Sequence, residues 1–437
     1  MPRYVVLVSL REFENVVVAA DARVTRDHDD LGDVVRRMTA ESYLHAAPSV
    51  AHRFIVGNGR SLKSEGRDGG LPLLIVDISE RNADVLSSHS DVLSIELDRP
   101  IRVFDVEQQP GHALDRIDQR SLPLDGLYHH LYDGANVDIY VLDSGVRASH
   151  NEFVGRIVEG RNFADDQPAD DVDDCQGHGT HVASLALGTR FGVAKKAALI
   201  PIRIYDCSNT GSLSQALLGI DYALRTMRSR GGRRSIVSMS FGGENSPTLD
   251  AALIRIEELG AVVVAAAGND GIDACVVSPA NGRGVIAVGS VNIADTFSSF
   301  SNHGPCVALS APGENVMGAD FQSDDGVRVM SGTSMSTPIV AGAVATFFSF
   351  APDATINEAR SAVICGATVN GVKDAPFGTT ARLLYADPSS WADAARDHEC
   401  SVSHARQTSP HASLALIVMA VTALSAMRLT KSSRRSA

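Results

Sequence analysis

The chain has 437 residues, 44% hydrophobic and 21% charged, a globular composition long enough for two or three domains and a sizeable core. Its 52 acidic and 39 basic residues leave a net charge of −13, which argues against nucleic-acid binding, because neutralising phosphates needs clustered Lys and Arg. Six cysteines without a C-x-x-C pair argue against a zinc ribbon or thioredoxin-like site and point to disulfides in an oxidising compartment.

Tyr4–Leu10 is apolar, but Arg11, Glu12 and Glu14 follow at once. That run is too short for a signal-peptide core and is predicted as a strand, so an export signal is expected upstream of Met1, with unconventional export as the alternative. Leu31–Leu44 is predicted as a helix with Leu31, Val34, Val35 and Met38 on one face. His52–Gly57 and Leu73–Ile78 read as strands, Glu80–Ser88 as a short helix and Val92–Glu96 as a last strand. This order predicts a small α+β domain of the ferredoxin-like kind over residues 1–104, an antiparallel sheet with helices on one face.

Residues 105–120 are polar, with Gln108, Gln109, Pro110 and Gly111, and read as a linker. From Val137 the character changes. Val137–Leu142 (interrupted only by Asp138), Ala198–Ile202, Ile236–Met239, Val262–Ala267 and Val285–Val288 are short apolar runs alternating with helical segments. Strands apolar on both faces imply an α/β fold, a parallel sheet covered by helices on each side, here over residues 121–386. Residues 387–411, rich in Asp, Ser and His, read as a stalk. Ala412–Met427 carries no charge and is followed by Arg428, Lys431, Arg434 and Arg435. Residues 412–437 are therefore expected to form a transmembrane anchor with a basic cytoplasmic tail; a buried or interfacial helix and a lipid-anchor signal are the weaker readings.

Three motifs carry chemistry. Val141-Leu142-Asp143-Ser144-Gly145 puts an acid at the end of an apolar strand; Gly177-His178-Gly179-Thr180-His181 is a Gly-rich turn opening a helix; Ser331-Gly332-Thr333-Ser334-Met335-Ser336-Thr337-Pro338 precedes the apolar helix Ile339–Phe348. A Ser at a helix start suits a nucleophile whose proton passes to an imidazole, itself held in one tautomer by a buried carboxylate. Each motif alone reads more simply as a cap or turn; together, in the order Asp143, His178, Ser334, they read as a catalytic triad.

These motifs resemble those of the subtilase family, most nearly its proteinase K and aqualysin branch, over about Leu114–Tyr385. Leu114–Arg120 resembles the start of mature chains in that branch, although His112-Ala113 stands where a Trp-Gly pair is usual. Residues 4–104 resemble the family's inhibitory propeptide. The resemblance implies a subtilisin-like fold and a serine endopeptidase made as a self-processing precursor, acting on protein or peptide substrates, with its own propeptide as inhibitor and no cofactor for catalysis. It implies that Ala266-Ala267-Gly268-Asn269 carries the oxyanion-hole donor, Asn269, with the backbone N–H of Ser334 as second donor. It also implies that Ser240-Phe241-Gly242-Gly243 and Ala266–Gly268 line an open, uncharged specificity pocket, favouring an apolar P1 residue. Disulfides Cys175–Cys207 and Cys275–Cys306 follow from the same likeness, and His181 is structural in the family. Cys365 is expected to be a free thiol, with pairing to Cys400 as the alternative.

Six aspartates lie between Asp165 and Asp174. They read first as a solvated acidic loop, with structural calcium binding or a basic P2 preference as alternatives. Ala308 stands where close relatives of the family carry a calcium-binding Asp, which puts that site in doubt. The expected location is secreted or membrane-anchored at the cell surface. The rival function is a pseudoprotease that cleaves itself once, keeps its propeptide and serves as a surface binding protein.

Overall fold

In the computed structural model the residues described are 3–8, 52–54, 62–64, 73–77, 83–84, 87–88, 92–97, 105–164, 168–387 and 390–394. The helix predicted at Leu31–Leu44, most of the predicted stalk and the apolar run Ala412–Met427 lie outside them. The chain divides into two units, Met1–Arg102 and Val103–Ala437. In the first, β1 (Arg3–Val8) is followed by a short antiparallel pair, β2 (His52–Phe54) and β3 (Leu62–Ser64). Then β4 (Leu73–Asp77) and β5 (Val92–Leu97) flank β1, both antiparallel to it.

The second unit begins with β6 (Asp105–Gln108), α1 (His112–Ile117) and β7 (Leu127–His130), β6 pairing antiparallel with β7. Residues 105–120 are thus a folded part of this unit rather than a linker. Leu114 and Ile117 are buried, and the buried Arg116 guanidinium pairs with Asp295 at 2.6 Å. A charged residue this deep is tolerated only with such a partner, and removing one partner of a buried pair typically costs about 3–5 kcal/mol.

The main sheet is built from β8 (Val137–Asp143), β9 (Arg161–Asn162) and, after helix α2 (His178–Leu187), β10 (Ala198–Arg203). Helix α3 (Leu213–Ser229) leads to β11 (Arg234–Met239), then the two-residue β12 (Gly243–Glu244), α4 (Pro247–Glu258) and β13 (Ala261–Ala266). The two-residue β14 (Val277–Ser278), β15 (Ile286–Val291) and β16 (Leu309–Pro312) follow. A hairpin of β17 (Val316–Ala319) and β18 (Val327–Met330) precedes α5 (Thr333–Phe350), α6 (Ile356–Gly366) and α7 (Trp391–Ala394). The seven-stranded sheet has the order β16-β15-β13-β11-β8-β10-β9, with all neighbours parallel.

Because successive residues of a strand face opposite sides, the apolar runs feed two cores. Ile139, Val141 and Leu199 pack with α2, α5 and α6, while Tyr140, Leu142, Ile200 and Ile202 pack with α3 and α4. Asp138, the interruption in the first run, is fully buried and is matched by Arg230 and Arg233, each at 2.6 Å. The globular unit also runs past the predicted boundary at Ala386. Trp391, placed in the expected stalk, is 1% exposed and packs edge-on against Phe347 and Phe350 at 5.7 and 6.2 Å. Cys365, expected as a free thiol, is disulfide-bonded.

From β8 the chain moves one way to β9 and β10, and the other way to β11, β13, β15 and β16. The direction therefore reverses beside β8, and in open α/β sheets the crevice at the carboxyl ends of the strands at such a switch point is where ligands bind.

Candidate active site

Asp143 is the last residue of β8, 1% exposed, and its Oδ1 lies 2.7 Å from His178 Nδ1. His178 opens α2. Two glycines make this approach possible: Gly177 takes φ 98°, and a Cβ there would meet the Phe321 ring at 2.5 Å. A Cβ on Gly179 would collide with the Gly145 carbonyl, so the start of α2 sits directly on the turn after Asp143. Burial is the largest influence on the His178 imidazole and depresses its pKa. The Asp143 charge and hydrogen bond, with Asp174 adding to them, outweigh it and hold the pKa above 6.5, against a smaller opposing effect of Arg328.

Asp174 is not part of a solvated loop. It is 5% exposed, and its Oδ1 accepts from Ser144 Oγ, Gln176 N and Gly177 N at 3.0, 2.9 and 2.8 Å. Its Oδ2 accepts from Thr180 N and Oγ1 at 2.9 and 2.6 Å, so one carboxylate locks the turn that presents His178. Asp170 and Asp173 are exposed, as the sequence suggests. The bridge Cys175–Cys207 ties this turn to the end of β10, and Cys275–Cys306 closes a second loop; a loop of this size is worth about 3–4 kcal/mol. Among the described residues, no three His, Cys, Asp or Glu side chains converge as a metal site would require. Ala308 is buried in the larger core.

Ser334 is the second residue of α5 and is 9% exposed. Its hydroxyl donates to the Ser240 carbonyl at 3.2 Å, and Ser240 Oγ donates in return to the Ser334 carbonyl at 3.0 Å. The hydroxyl thus rests on the residue that follows β11. Asn269 Oδ1 accepts from Thr333 N at 2.8 Å and Oγ1 at 2.9 Å. A backbone N–H can only donate, so this fixes the amide orientation and leaves the NH2 group as donor.

Ser334 and Asn269 line a cavity of about 540 Å³ together with Ser240, Phe241, Gly242, Gly243, Ala266 and Gly268. Ala267 does not contribute; it is fully buried against Ala274, Cys306 and Val307. Nor is the slot uncharged as expected, because the exposed carboxylate residues Glu244 and Asp270 also belong to its wall, as do Val276 and Val277. The pairing of β12 with β14 (Glu244 opposite Val277) brings these distant segments together. A further residue missed from sequence is Asn302, fully buried, which donates to the Ala267 carbonyl at 2.9 Å and accepts from Asp270 N and Ile272 N at 3.0 and 3.1 Å. It fixes the turn that carries Asn269. His181, buried and lowered to about 4 by that burial, is neutral, with Nε2 3.2 Å from the carbonyls of Val316 and Arg328.

A hydroxyl at a helix start and an amide donor line one cavity at the end of β11, and the paired acid and imidazole sit at the end of the adjacent β8, groups of the kind that support nucleophilic attack on a carbonyl. The family model described as the subtilase family matches residues 134–394. The chain belongs to the subtilase family. An extracellular serine proteinase of Thermus sp. (strain Rt41A) is 41% identical over 310 residues, covering 71% of this chain and 74% of that protein. Alkaline serine exoprotease A of Vibrio alginolyticus is 38% identical over 324 residues, 73% of this chain and 59% of its own. Among solved structures, a cold-adapted subtilisin-like serine proteinase superposes with a TM-score of 0.60 at 40% identity, over 64% of this chain and 99% of the other. This subtilase is accordingly a serine-type endopeptidase on the subtilisin-like fold.

Proposed function

We propose that the subtilase hydrolyses peptide bonds through Asp143, His178 and Ser334, with Asn269 donating its side-chain amide to the tetrahedral oxyanion. The observation that carries this is the 2.7 Å bond from Asp143 to His178 beside a cavity shared by Ser334 and the free amide of Asn269. In this mechanism Ser334 attacks the scissile carbonyl, His178 takes its proton and returns it to the leaving amine, and Asp143 holds the imidazole and stabilises its cation. Residues 1–104 act as the inhibitory propeptide, and the precursor cuts itself. The pairing of β6 with β7 and the 2.8 Å contact of Glu107 with Lys195 favour a cut that leaves Asp105–Gln108 on the mature chain. Phe104 then occupies the P1 position, rather than Val106. The name of the Thermus relative agrees with a secreted enzyme; the apolar run at 412–427 is its membrane anchor where it is retained.

The pocket is expected to prefer apolar P1 residues. Burying an ammonium without a close partner costs several kcal/mol, whereas Glu244 and Asp270 are exposed and solvent-screened, worth about 0–1 kcal/mol each to a cation. A peptide library cut by the mature enzyme should show aromatic and aliphatic residues at P1, with Lys and Arg secondary. A profile dominated by Lys and Arg would overturn this and assign Glu244 and Asp270 as their partners.

A further inference from the structure

The β17–β18 hairpin presents an unpaired cation beside His178. Arg328, in β18, is exposed, and among the described residues no side chain pairs with its guanidinium. It lies against the residue preceding His178: a Cβ placed on Gly177 would be 3.2 Å from Arg328 Nη1, on the side where it also meets the Phe321 ring. Two of the three carboxylates of the hairpin turn are engaged elsewhere, and the third, Asp320, buries its Oδ1 without a partner among the described residues. Asp324 accepts from Arg147 at 2.7 Å and from Ser149 at 2.6 Å, and Asp325 accepts from Ser323 at 3.0 Å. Asp174, on the His178 turn, is buried and saturated by its five hydrogen bonds to that turn and to Ser144.

The side of the cleft follows from the layout. In the mechanism proposed above the acyl half of a substrate occupies the cavity beside Ser334, and Phe241 of its wall meets Tyr205 edge-on at 6.2 Å, which sets the loop after β10 beside that half. Arg328 instead sits six residues before Ser334, in the strand that leads into the nucleophile turn, and packs at Gly177; neither residue lines that cavity. Because His178 returns its proton to the departing amine, residues beyond the scissile bond pass on this side.

We propose that Arg328 is a specificity residue of the leaving-group side, selecting substrates with a Glu or Asp in the first two positions after the scissile bond. This rests on the peptidase reading and deepens it. An exposed guanidinium–carboxylate pair gives a modest preference, about twofold to fivefold in kcat/KM, which salt should screen. The Phe321 ring, which meets the same point at Gly177 as the Arg328 guanidinium, favours an acidic residue with an apolar neighbour over a run of acids.

The test uses internally quenched peptides with a common apolar P1 and Glu, Gln or Lys at the first or second leaving-side position. Mature wild-type enzyme should give kcat/KM in the order Glu, Gln, Lys at one of these positions. The spread should shrink at high salt and vanish in Arg328→Gln, and Arg328→Glu should reverse it. Equal rates for all three peptides, or a spread that survives in Arg328→Gln, would overturn the proposal while leaving the peptidase reading intact. Failure to cut any peptide, the neutral one included, would sink both.

Discussion

Ser334→Ala is expected to leave the chain folded but uncut at residue 104, and to lower peptide-bond hydrolysis about 10⁶-fold, the size of the loss that the equivalent change causes in subtilisin itself. The change removes one oxygen atom. In the resting arrangement that oxygen makes a single hydrogen bond, to the Ser240 carbonyl, while the reciprocal bond from Ser240 Oγ to the Ser334 carbonyl is untouched. Stability should therefore fall by no more than about 0.5–1.5 kcal/mol, far too little to unfold the domain. Wild-type protein should begin at Asp105 after maturation, whereas the variant should keep residues 1–104. N-terminal sequencing reads the difference, and thermal unfolding confirms that both are folded. A variant that still matures and still cleaves denatured protein, freed of contaminating proteases, removes Ser334 from the mechanism.

Asp143→Asn should act through His178 and change two quantities. The rate should fall by about 10⁴-fold, as the same replacement does in an unrelated triad protease, because an amide cannot hold the imidazole in the required tautomer or stabilise its cation. The pH dependence should shift as well. Catalysis needs neutral His178, so wild-type kcat/KM is present above the His178 pKa and is lost as pH falls through it. That pKa lies above 6.5, since Asp143, helped by Asp174, outweighs the depression caused by burial. Removing the Asp143 charge leaves burial and Arg328 acting downward, and the acid limb should move to lower pH. An acid limb that stays where it is in Asp143→Asn would mean that another group governs it.

The strands of the main sheet were legible because Val, Ile and Ala runs apolar on both faces suit only a covered parallel sheet. The three motifs were legible because their residue types sit at strand and helix ends, where side chains converge. What escaped was non-local. Arg116 looks like a linker charge until Asp295, far along the chain, is brought against it at 2.6 Å. Trp391 reads as part of a polar stalk because its partners, Phe347 and Phe350, lie on α5. Asp174 is lost in a run of six aspartates, and only the fold of the Gly177 turn separates it from its exposed neighbours. Its spacing before Gly177-His178 was the available signal, since an Asp just ahead of a helix is a good capping residue. Glu244 and Val276 reach the cavity through the pairing of two-residue strands, which leave no periodicity to read, while Asp270 simply follows Asn269 on the turn that Asn302 holds. Asn302 had no signal at all: an Asn between polar residues is ordinarily a turn.

The central claim is that Ser334 is an activated nucleophile held by His178 and Asp143 beside a cleft open to substrate. Labelling with a fluorophosphonate tests it most directly, because such a probe bonds only to a hydroxyl whose proton is being withdrawn next to oxyanion donors. Mature protein should carry one adduct, located by mass spectrometry on the peptide containing Ser334, and His178→Ala should carry none. Folded, mature wild-type protein that takes up no label, or takes it up on a residue other than Ser334, would contradict the account.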